Sequence, residues 1–241
     1  MATSLADFAE QTNPKTFAEA RCAGFRQAIR VHGSFLASVE KRVLIWMAER
    51  MPAWVNSDHL TVLGFAAQIA TGVCYALAAH DRRMLLAAIV CLAVNWLGDS
   101  LDGTLARVRQ QQRPRYGFYV DHIIDSIGTV AMMGGLALSG YMHPLIAIGL
   151  LIAFLLLSIQ SYLATYTLGE FHLSLWHFGP TELRVLLVAG NLALFRWAWV
   201  IHGRYRLFDI GGAIGLAVML LMLVVVSLKN TVRLYREERI G

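Results

Sequence analysis

The sequence predicts an all-α membrane protein, with six transmembrane helices preceded by an amphipathic interfacial helix. Two observations lead to this fold class. Of the 241 residues, 57% are hydrophobic and only 15% are charged, whereas a soluble domain is about one-quarter charged. Six apolar stretches also approach or reach the ~20 residues that a helix needs to cross the hydrocarbon core of a bilayer. Water is therefore a poor candidate for the main solvent of this chain.

An amphipathic segment from Ser34 to Met51 precedes the first apolar stretch. Apolar side chains recur in it at helical intervals, and acidic and basic residues border them. Such a helix can lie in the membrane interface, or it can pack on the surface of the protein itself. We assign residues 1–55 to a cytoplasmic N-terminal segment, in which Thr16 and Glu19 have the spacing of a capping box that opens a short helix.

The six apolar stretches define a transmembrane domain over residues 56–230, followed by a cytoplasmic tail at residues 231–241. Flanking Lys and Arg residues predict the orientation of this domain. If the N-terminus is cytoplasmic, sixteen of the 21 Lys and Arg residues lie on that side and four on the other. By the positive-inside rule, both termini then face the cytoplasm. The predicted spans are Leu60 to Ala79, Met84 to Leu101, Val120 to Gly140, Pro144 to Leu168, Leu183 to Ile201, and Ile210 to Leu228.

Four aspartates stand at the cytoplasmic ends of the second and third spans. Asp99 and Asp102 are three residues apart, and Asp121 and Asp125 are four apart, so each pair lies on one face of a helix. Four like charges so close repel one another strongly unless a cation sits among them. Oxygen ligands without Cys or His suit Mg²⁺ or Mn²⁺. The spacing predicts a site for one or two divalent ions at the cytoplasmic face.

Small residues and an arginine accompany these carboxylates. Gly103 and Ala106 continue the face of the first pair, and Gly117 lies four residues before Asp121, which lets a ligand approach the backbone closely. Arg107 offers a permanently charged fork for a phosphate or for a carboxylate of the cluster. A metal, small residues and an arginine together indicate a pyrophosphate-containing donor and phosphoryl transfer.

The whole pattern resembles the signature of the CDP-alcohol phosphotransferases, also called CDP-alcohol phosphatidyltransferases. All eight positions of that signature are present: Asp99-x2-Asp102-Gly103-x2-Ala106-Arg107-x9-Gly117-x3-Asp121-x3-Asp125. The run Asp58-His59-Leu60-Thr61 also resembles the short polar motif before the family's first span, although Ser57 stands where many members carry proline. The resemblance implies a membrane transferase of phospholipid biosynthesis with six transmembrane helices.

The resemblance also implies the reaction and the roles of the residues. Members bind a CDP-linked donor with a divalent metal, transfer its substituted phosphoryl group to an alcohol and release CMP. Asp99, Asp102 and Asp121 would be metal ligands. Asp125 would complete the metal site and act as general base, although spacing leaves open an inverted assignment with Asp121 as the base. The cytidine and the pyrophosphate would be held by Gly103, Ala106, Arg107 and Gly117.

The substrates and partners stay open at this point. The donor is either CDP-diacylglycerol or a CDP-amino alcohol, and the acceptor alcohol is not identified. His122 makes an Asp-His-x2-Asp run that is similar to the amino-alcohol branch of the family, or it simply faces lipid headgroups. We expect contact with membrane lipid and no nucleic-acid partner, and a homodimer is common in such folds.

Further polar residues border the predicted cytoplasmic face. The arginines between spans two and three either bind a phosphate or only keep the loop in the cytoplasm. They are Arg109, Arg113 and Arg115. A second group, near the loop between spans four and five, is a candidate border of the acceptor site. Its members are His172, His177, Glu182 and Arg184.

Two other functions compete with this interpretation. An intramembrane prenyltransferase of the UbiA type also uses Asp-rich motifs and Mg²⁺, and two motifs here partly resemble them: Asn95 with Asp99, and Asp121-x3-Asp125. The Asp-Gly-x2-Ala-Arg core argues against it, as do six spans in place of about nine helices.

A non-enzymatic ion transporter is the second alternative. Its acidic residues should lie near the middle of the membrane, along a path that crosses it, whereas these aspartates cluster at one boundary.

Overall fold

The computed structural model describes residues 37–168, 180–197 and 206–238. Seven helices and no strand occur in these ranges, so the all-helical prediction is confirmed for this part of the chain. The predicted short helix after Thr16 lies outside the described residues. In chain order the helices are α1 (Ala37–Glu49), α2 (Ser57–Ala78), α3 (Met84–Val108), α4 (Pro114–Leu138), α5 (Pro144–Leu168), α6 (Pro180–Arg196) and α7 (Leu207–Glu237).

A helix lies over each of the six stretches that were predicted to cross the membrane. Four of these helices, α2, α3, α5 and α7, are long and apolar enough to span a bilayer. The other two are less apolar or shorter in their described parts: α4 carries Arg115, Asp121 and Asp125 in its first half, and α6 has 17 residues. Four spans are therefore supported by length and composition, and six spans stay a prediction.

The two helices that carry the aspartates extend beyond the predicted apolar spans. α3 continues past Leu101 to Val108, and α4 begins at Pro114 instead of Val120. Proline suits the first turn of a helix because its missing N–H has no intrahelical partner there. Since only residues 109–113 separate the two helices, all eight positions of the signature lie on helices.

α2 is the centre of the packing. Both α3 and α4 pack against α2, and these two described helices do not pack against each other. On their outer sides α6 packs on α3 and α5 packs on α4, while α7 packs on α5 and meets α6 briefly. The helices thus form a ring in the order α2, α3, α6, α7, α5, α4. This arrangement leaves a cleft between α3 and α4 that is backed by α2.

Glycines let α2 approach both of its neighbours closely. A Cβ atom added to Gly98 of α3 would come within 2.6 Å of the backbone nitrogen of Gly64 in α2. A Cβ atom on Gly135 of α4 would likewise collide with the backbone of Gly72. Because these obstacles are backbone atoms, no larger residue fits at either position without separating the helices.

Two apolar clusters stabilise the described helices. One joins α2 through α7 at the end of the ring remote from the aspartates, around the fully buried Leu85. The other packs α1 against α3, with Leu44 and Ala48 near Leu101, and it also contains Leu60 of α2. The opposite side of α1 is open, and Trp46 is 56% exposed there. α1 therefore packs on the protein along one side, and its location in the membrane interface remains a prediction.

Candidate functional site

The four aspartates of α3 and α4 lie at the same end of the ring and face one cleft. The charges of Asp99, Asp102 and Asp121 all act on Asp125, and those of Asp99 and Asp121 act on Asp102. Among the described residues, however, no three Asp, Glu, His or Cys side chains are grouped tightly enough to hold a metal ion in this arrangement. Repulsion between like charges favours that separation.

Asp102 is the least exposed of the four aspartates, and residues of α2 hold it in place. It is 8% exposed, and its Oδ2 accepts a hydrogen bond of 2.7 Å from the Thr61 hydroxyl. Its Oδ1 accepts from the backbone N–H of Gly103. The Ser57 hydroxyl donates to the backbone carbonyl of Asp102 at 3.0 Å. The first turns of α2 therefore fix both the side chain and the backbone of this aspartate.

Asp99 forms an ion pair with α6. The Nη2 atom of Arg184 lies 2.7 Å from Oδ2 of Asp99, with side-chain exposures of 16% for the arginine and 40% for the aspartate. The Nε atom of the same guanidinium donates to Oδ1 of Asn95 at 2.9 Å. Asn95 is itself held, because its Nδ2 donates to the Gly64 carbonyl at 3.0 Å. A chain of hydrogen bonds thus runs from α2 through α3 to the guanidinium of α6.

The α4 side of the cleft is formed by Asp121 and Asp125, which are half-buried. Their four-residue separation places both on the face of α4 that meets the carboxylates of α3, as their electrostatic interaction with Asp102 shows. The Arg184 guanidinium also acts on Asp125, with the opposite sign to the aspartates. Positive charge from α6 therefore reaches both walls of the cleft.

Open space adjoins the carboxylates at the two glycines of the signature. A Cβ atom added to Gly103 or to Gly117 would meet nothing within 4 Å. Ala106 is half-buried and Arg107 is exposed, and Nη2 of Arg107 donates to the Thr104 hydroxyl at 3.2 Å. At Gly103 and Gly117 no side chain therefore blocks a ligand from approaching the helix backbone.

Of the three arginines predicted to lie between spans two and three, Arg115 lies in α4 and the other two make contacts within the protein. Arg109 donates to the backbone carbonyls of Met51 at 3.0 Å and Pro52 at 2.9 Å, and it also reaches the carbonyl of Val55. It thereby fixes the connection between α1 and α2. Arg113 pairs with the carboxylate of Asp58 in the first turn of α2. These contacts give both residues a role in holding α2 to the α3–α4 loop.

His122 lies in an aromatic cluster between α4 and α5. Its ring is 4.2 Å from the ring of Phe118 and 5.0 Å, edge to face, from that of Tyr162, measured between centroids. Its Nδ1 atom lies 2.5 Å from the Phe118 carbonyl. In the predicted acceptor border, His172 and His177 lie outside the described residues, as does the side chain of Glu182.

Sequence reasoning missed the partners that orient the aspartates. Thr61 was noted only within a resemblance, and no role was predicted for it or for the Asn95 amide as a link to Arg184. One signal was available, because Asn95 precedes Asp99 by four residues and so shares its helical face. Nothing local in the sequence pairs that face with an arginine 85 residues later.

The residues present fit a hard divalent cation. The four carboxylates supply only oxygen donors. Mg²⁺ and Mn²⁺ prefer such ligands. Asp99 keeps a partly exposed carboxylate and Asp102 is oriented by Thr61, so oxygen atoms of the α3 wall can turn toward an ion in the cleft.

Comparison with known proteins assigns the chain to a family. The family model described as CDP-alcohol phosphatidyltransferase matches residues 54–230, well over half of the chain. Members are transferases of phosphate-containing groups in phospholipid synthesis; they take a CDP-alcohol donor and an alcohol acceptor, and they generally use divalent metal ions. The resemblance drawn from the eight signature positions is thus confirmed. The chain is an integral membrane transferase that belongs to the CDP-alcohol phosphatidyltransferase family.

Proposed function

We propose that this chain transfers a substituted phosphoryl group from a CDP-linked donor to an alcohol, with release of CMP, in the cleft between α3 and α4. One observation carries the proposal: carboxylates from two helices interact across a cleft that is open beside Gly103 and Gly117. Binding of a pyrophosphate needs cations and a close approach to the backbone. The carboxylates can hold the cations, and the open space beside the glycines allows the approach.

Asp99, Asp102, Asp121 and Asp125 are the residues that we expect to hold one or two Mg²⁺ or Mn²⁺ ions. Bound there, the metal would offset charge on the pyrophosphate and improve CMP as a leaving group. Thr61 keeps Asp102 aimed into the cleft, since its hydroxyl occupies one carboxylate oxygen. The protein thereby orients ligands before substrate arrives, which lowers the cost of assembling the site.

Asp125 is our choice for the general base on the acceptor hydroxyl. It lies one turn beyond Asp121 along α4, and the charges of all three other aspartates and of Arg184 act on it. A base in that position takes a proton from the alcohol while the neighbouring carboxylates engage the metal. The inverted assignment, with Asp121 as base, predicts the opposite mutational result.

Gly103, Ala106, Arg107 and Gly117 form the proposed donor site. The open space beside the two glycines leaves room for cytidine and pyrophosphate against the ends of α3 and α4. Arg107, already aligned by Thr104, supplies a charged fork for phosphoryl oxygens. The donor is CDP-diacylglycerol or a CDP-amino alcohol.

The arrangement in the membrane is part of the same proposal. We place the catalytic domain at residues 56–230, with α2 to α7 as six spans, and we assign residues 1–55 and 231–241 to the cytoplasm. The active site then opens at the cytoplasmic face, where CDP-linked donors and soluble acceptors are accessible. α1 lies at the membrane interface, and its exposed Trp46 suits that location.

The direct test is product analysis with the purified protein in lipid nanodiscs. Each candidate donor is paired with a panel of acceptors, namely glycerol phosphate, inositol and its phosphate, serine, and a lipid alcohol. We expect CMP release that depends on both donor and acceptor. Release of inorganic pyrophosphate from a prenyl diphosphate would support the prenyltransferase alternative, and absence of CMP with every pair would overturn the proposal.

A further inference from the structure

A carboxylate outside the signature joins three helices near the site. The Oε1 atom of Glu40, in the first turn of α1, accepts a hydrogen bond of 2.9 Å from the indole N–H of Trp96 in α3. It accepts another of 3.2 Å from the hydroxyl of Thr181 in the first turn of α6. The Ser100 hydroxyl lies 3.5 Å from the same oxygen. One oxygen atom therefore ties α1, α3 and α6 together.

The residues that contact Glu40 lie beside the residues that hold Arg184. On α3, Asn95 and Asp99 are four residues apart and both bond to Arg184, whereas Trp96 and Ser100, each one position later, both face Glu40. Two adjacent faces of α3 thus contact different helices: the face of Asn95 and Asp99 contacts α6, and the face of Trp96 and Ser100 contacts α1.

The same register continues on α6. Thr181 and Arg184 are three residues apart and so lie on one face of that helix. Thr181 contacts Glu40, and Arg184 contacts Asp99. The position of the guanidinium against Asp99 therefore depends on where the first turn of α6 sits, and Glu40 holds that turn beside α3.

We propose that Glu40 is a positioning residue: by holding the first turn of α6 against α3 it keeps the Arg184 guanidinium on Asp99, where this fixed positive charge competes with a divalent cation. The inference rests on the metal site of the proposed function. It assigns to α1 a second task besides membrane association, namely setting how strongly the carboxylate cluster attracts metal.

This competition predicts the direction in which the affinity for divalent cations should change. If Glu40 is removed, α6 is held less firmly and the ion pair between Arg184 and Asp99 weakens. The four aspartates then have less positive charge beside them. Divalent cations should then bind more tightly. General damage to the fold would loosen the ligands and weaken cation binding instead, so the direction of the change separates the two explanations.

The experiment measures Mn²⁺ binding to the purified full-length protein in nanodiscs, by the electron paramagnetic resonance of free Mn²⁺. We expect Glu40→Ala and Arg184→Ala each to lower the Mn²⁺ dissociation constant by about fivefold, the scale of a partly exposed ion pair. Because both act through one ion pair, the double variant should show no further change. Glu40→Gln keeps the Oε1 acceptor for Trp96 and Thr181 and should restore a value near that of the wild type.

Two controls complete the design. Glu49→Ala removes an exposed carboxylate from the other end of α1 and should leave Mn²⁺ binding unchanged. Thr181→Val deletes only one donor to Glu40 and should shift the dissociation constant in the same direction as Glu40→Ala, by a smaller factor. This variant keeps the test decisive if Glu40→Ala does not fold.

The outcomes separate the inference from the proposed function. Unchanged or weaker Mn²⁺ binding in Glu40→Ala and Thr181→Val would overturn the positioning role while leaving the metal site intact. Additive effects of Glu40→Ala and Arg184→Ala would also overturn it, since they would show that the two residues act independently. No saturable Mn²⁺ binding by the wild type would overturn the metal site and this inference together.

Discussion

At the scale of single residues, the buried Asp102 shows how the fold keeps a carboxylate where charge is costly. A buried charge is tolerated when it is paired and hydrogen-bonded. Asp102 has the Thr61 hydroxyl on one oxygen and the Gly103 N–H on the other. The two donors stabilise the carboxylate without cancelling its charge, and we expect a bound cation to offset that charge.

The hydroxyl of Thr61 should therefore matter for metal binding. Thr61→Val deletes the hydrogen bond to Asp102 at nearly constant volume, and loss of such an outer partner typically weakens metal affinity by about tenfold or more. Thr71→Val is the matched control, because Thr71 lies on the same helix and, among the described residues, its hydroxyl bonds to the Ala67 carbonyl one turn earlier. Equal Mn²⁺ affinities in the two variants, measured by titration, would contradict this role.

Asp125→Asn should abolish transfer while largely sparing donor binding. The amide cannot accept the proton of the attacking alcohol, and general-base catalysis is worth on the order of 100-fold to 10,000-fold. The measurements are CMP release and binding of radiolabelled donor. Asp81→Asn, at an exposed position in the turn before α3, serves as the control. Near-normal turnover of Asp125→Asn would rule out the base assignment and favour Asp121.

Removal of divalent cations should stop the reaction. The four carboxylates repel one another without a cation, so we expect excess chelator to reduce CMP release to background and added Mg²⁺ or Mn²⁺ to restore it. Ca²⁺ serves as a comparison, since its larger radius and flexible coordination suit the site less well. Activity that persists in excess chelator would remove the metal from the proposed reaction.

At the scale of helices, α2 is the element that positions the site. Its glycines bring α3 and α4 close enough for their aspartates to interact, and Thr61 reaches Asp102 from the same helix. Close approach of helix backbones through glycine is typical of membrane proteins. The geometry of the cleft thus depends on residues of α2 and on the glycines that face them.

Gly98→Ala should separate α2 from α3. The added methyl group would meet backbone atoms of Leu60 and Gly64, and overpacking of this kind costs about 1–3 kcal/mol. A lower midpoint of thermal unfolding in detergent is the expected result. Gly211→Ala in α7 is the control, since open space surrounds that position. The same midpoint for both variants would show that the crossing tolerates a larger residue.

Local patterns predicted much of this element-level picture. Helical spacing alone placed Asp99 with Asp102, and Asp121 with Asp125, on single faces of two helices. The apolar pattern ended the predicted span at Leu101, but helical spacing already placed Gly103 and Ala106 on the same face, and α3 does continue to Val108. Glu40 bonds to Trp96 and Thr181 across 56 and 141 residues of sequence. Such pairs depend on tertiary packing, which the hydrophobic periodicity of a sequence does not predict.

At the scale of the whole molecule, the orientation in the membrane decides which substrates reach the cleft. The aspartates lie at the end of the ring that carries the α3–α4 loop, whereas the fully buried Leu85 marks the opposite end. The distribution of Lys and Arg predicts that the aspartate end faces the cytoplasm. Soluble CDP-alcohols and phosphorylated acceptors would then enter directly from that side.

Cysteine labelling tests this orientation. After the three native cysteines are replaced, Arg115→Cys and His80→Cys place thiols at exposed positions at opposite ends of the ring. A membrane-impermeant maleimide should modify His80→Cys in intact cells and Arg115→Cys only after permeabilisation, as read by a gel shift. The reverse pattern would invert the proposed topology.

The absence of direct packing between α3 and α4 has a mechanical consequence. Each of the two helices rests on α2 at its own glycine crossing. Four like charges on facing helices repel one another, and a cation among them would reduce that repulsion. We therefore expect the distance between the aspartate ends of α3 and α4 to decrease when a divalent cation binds.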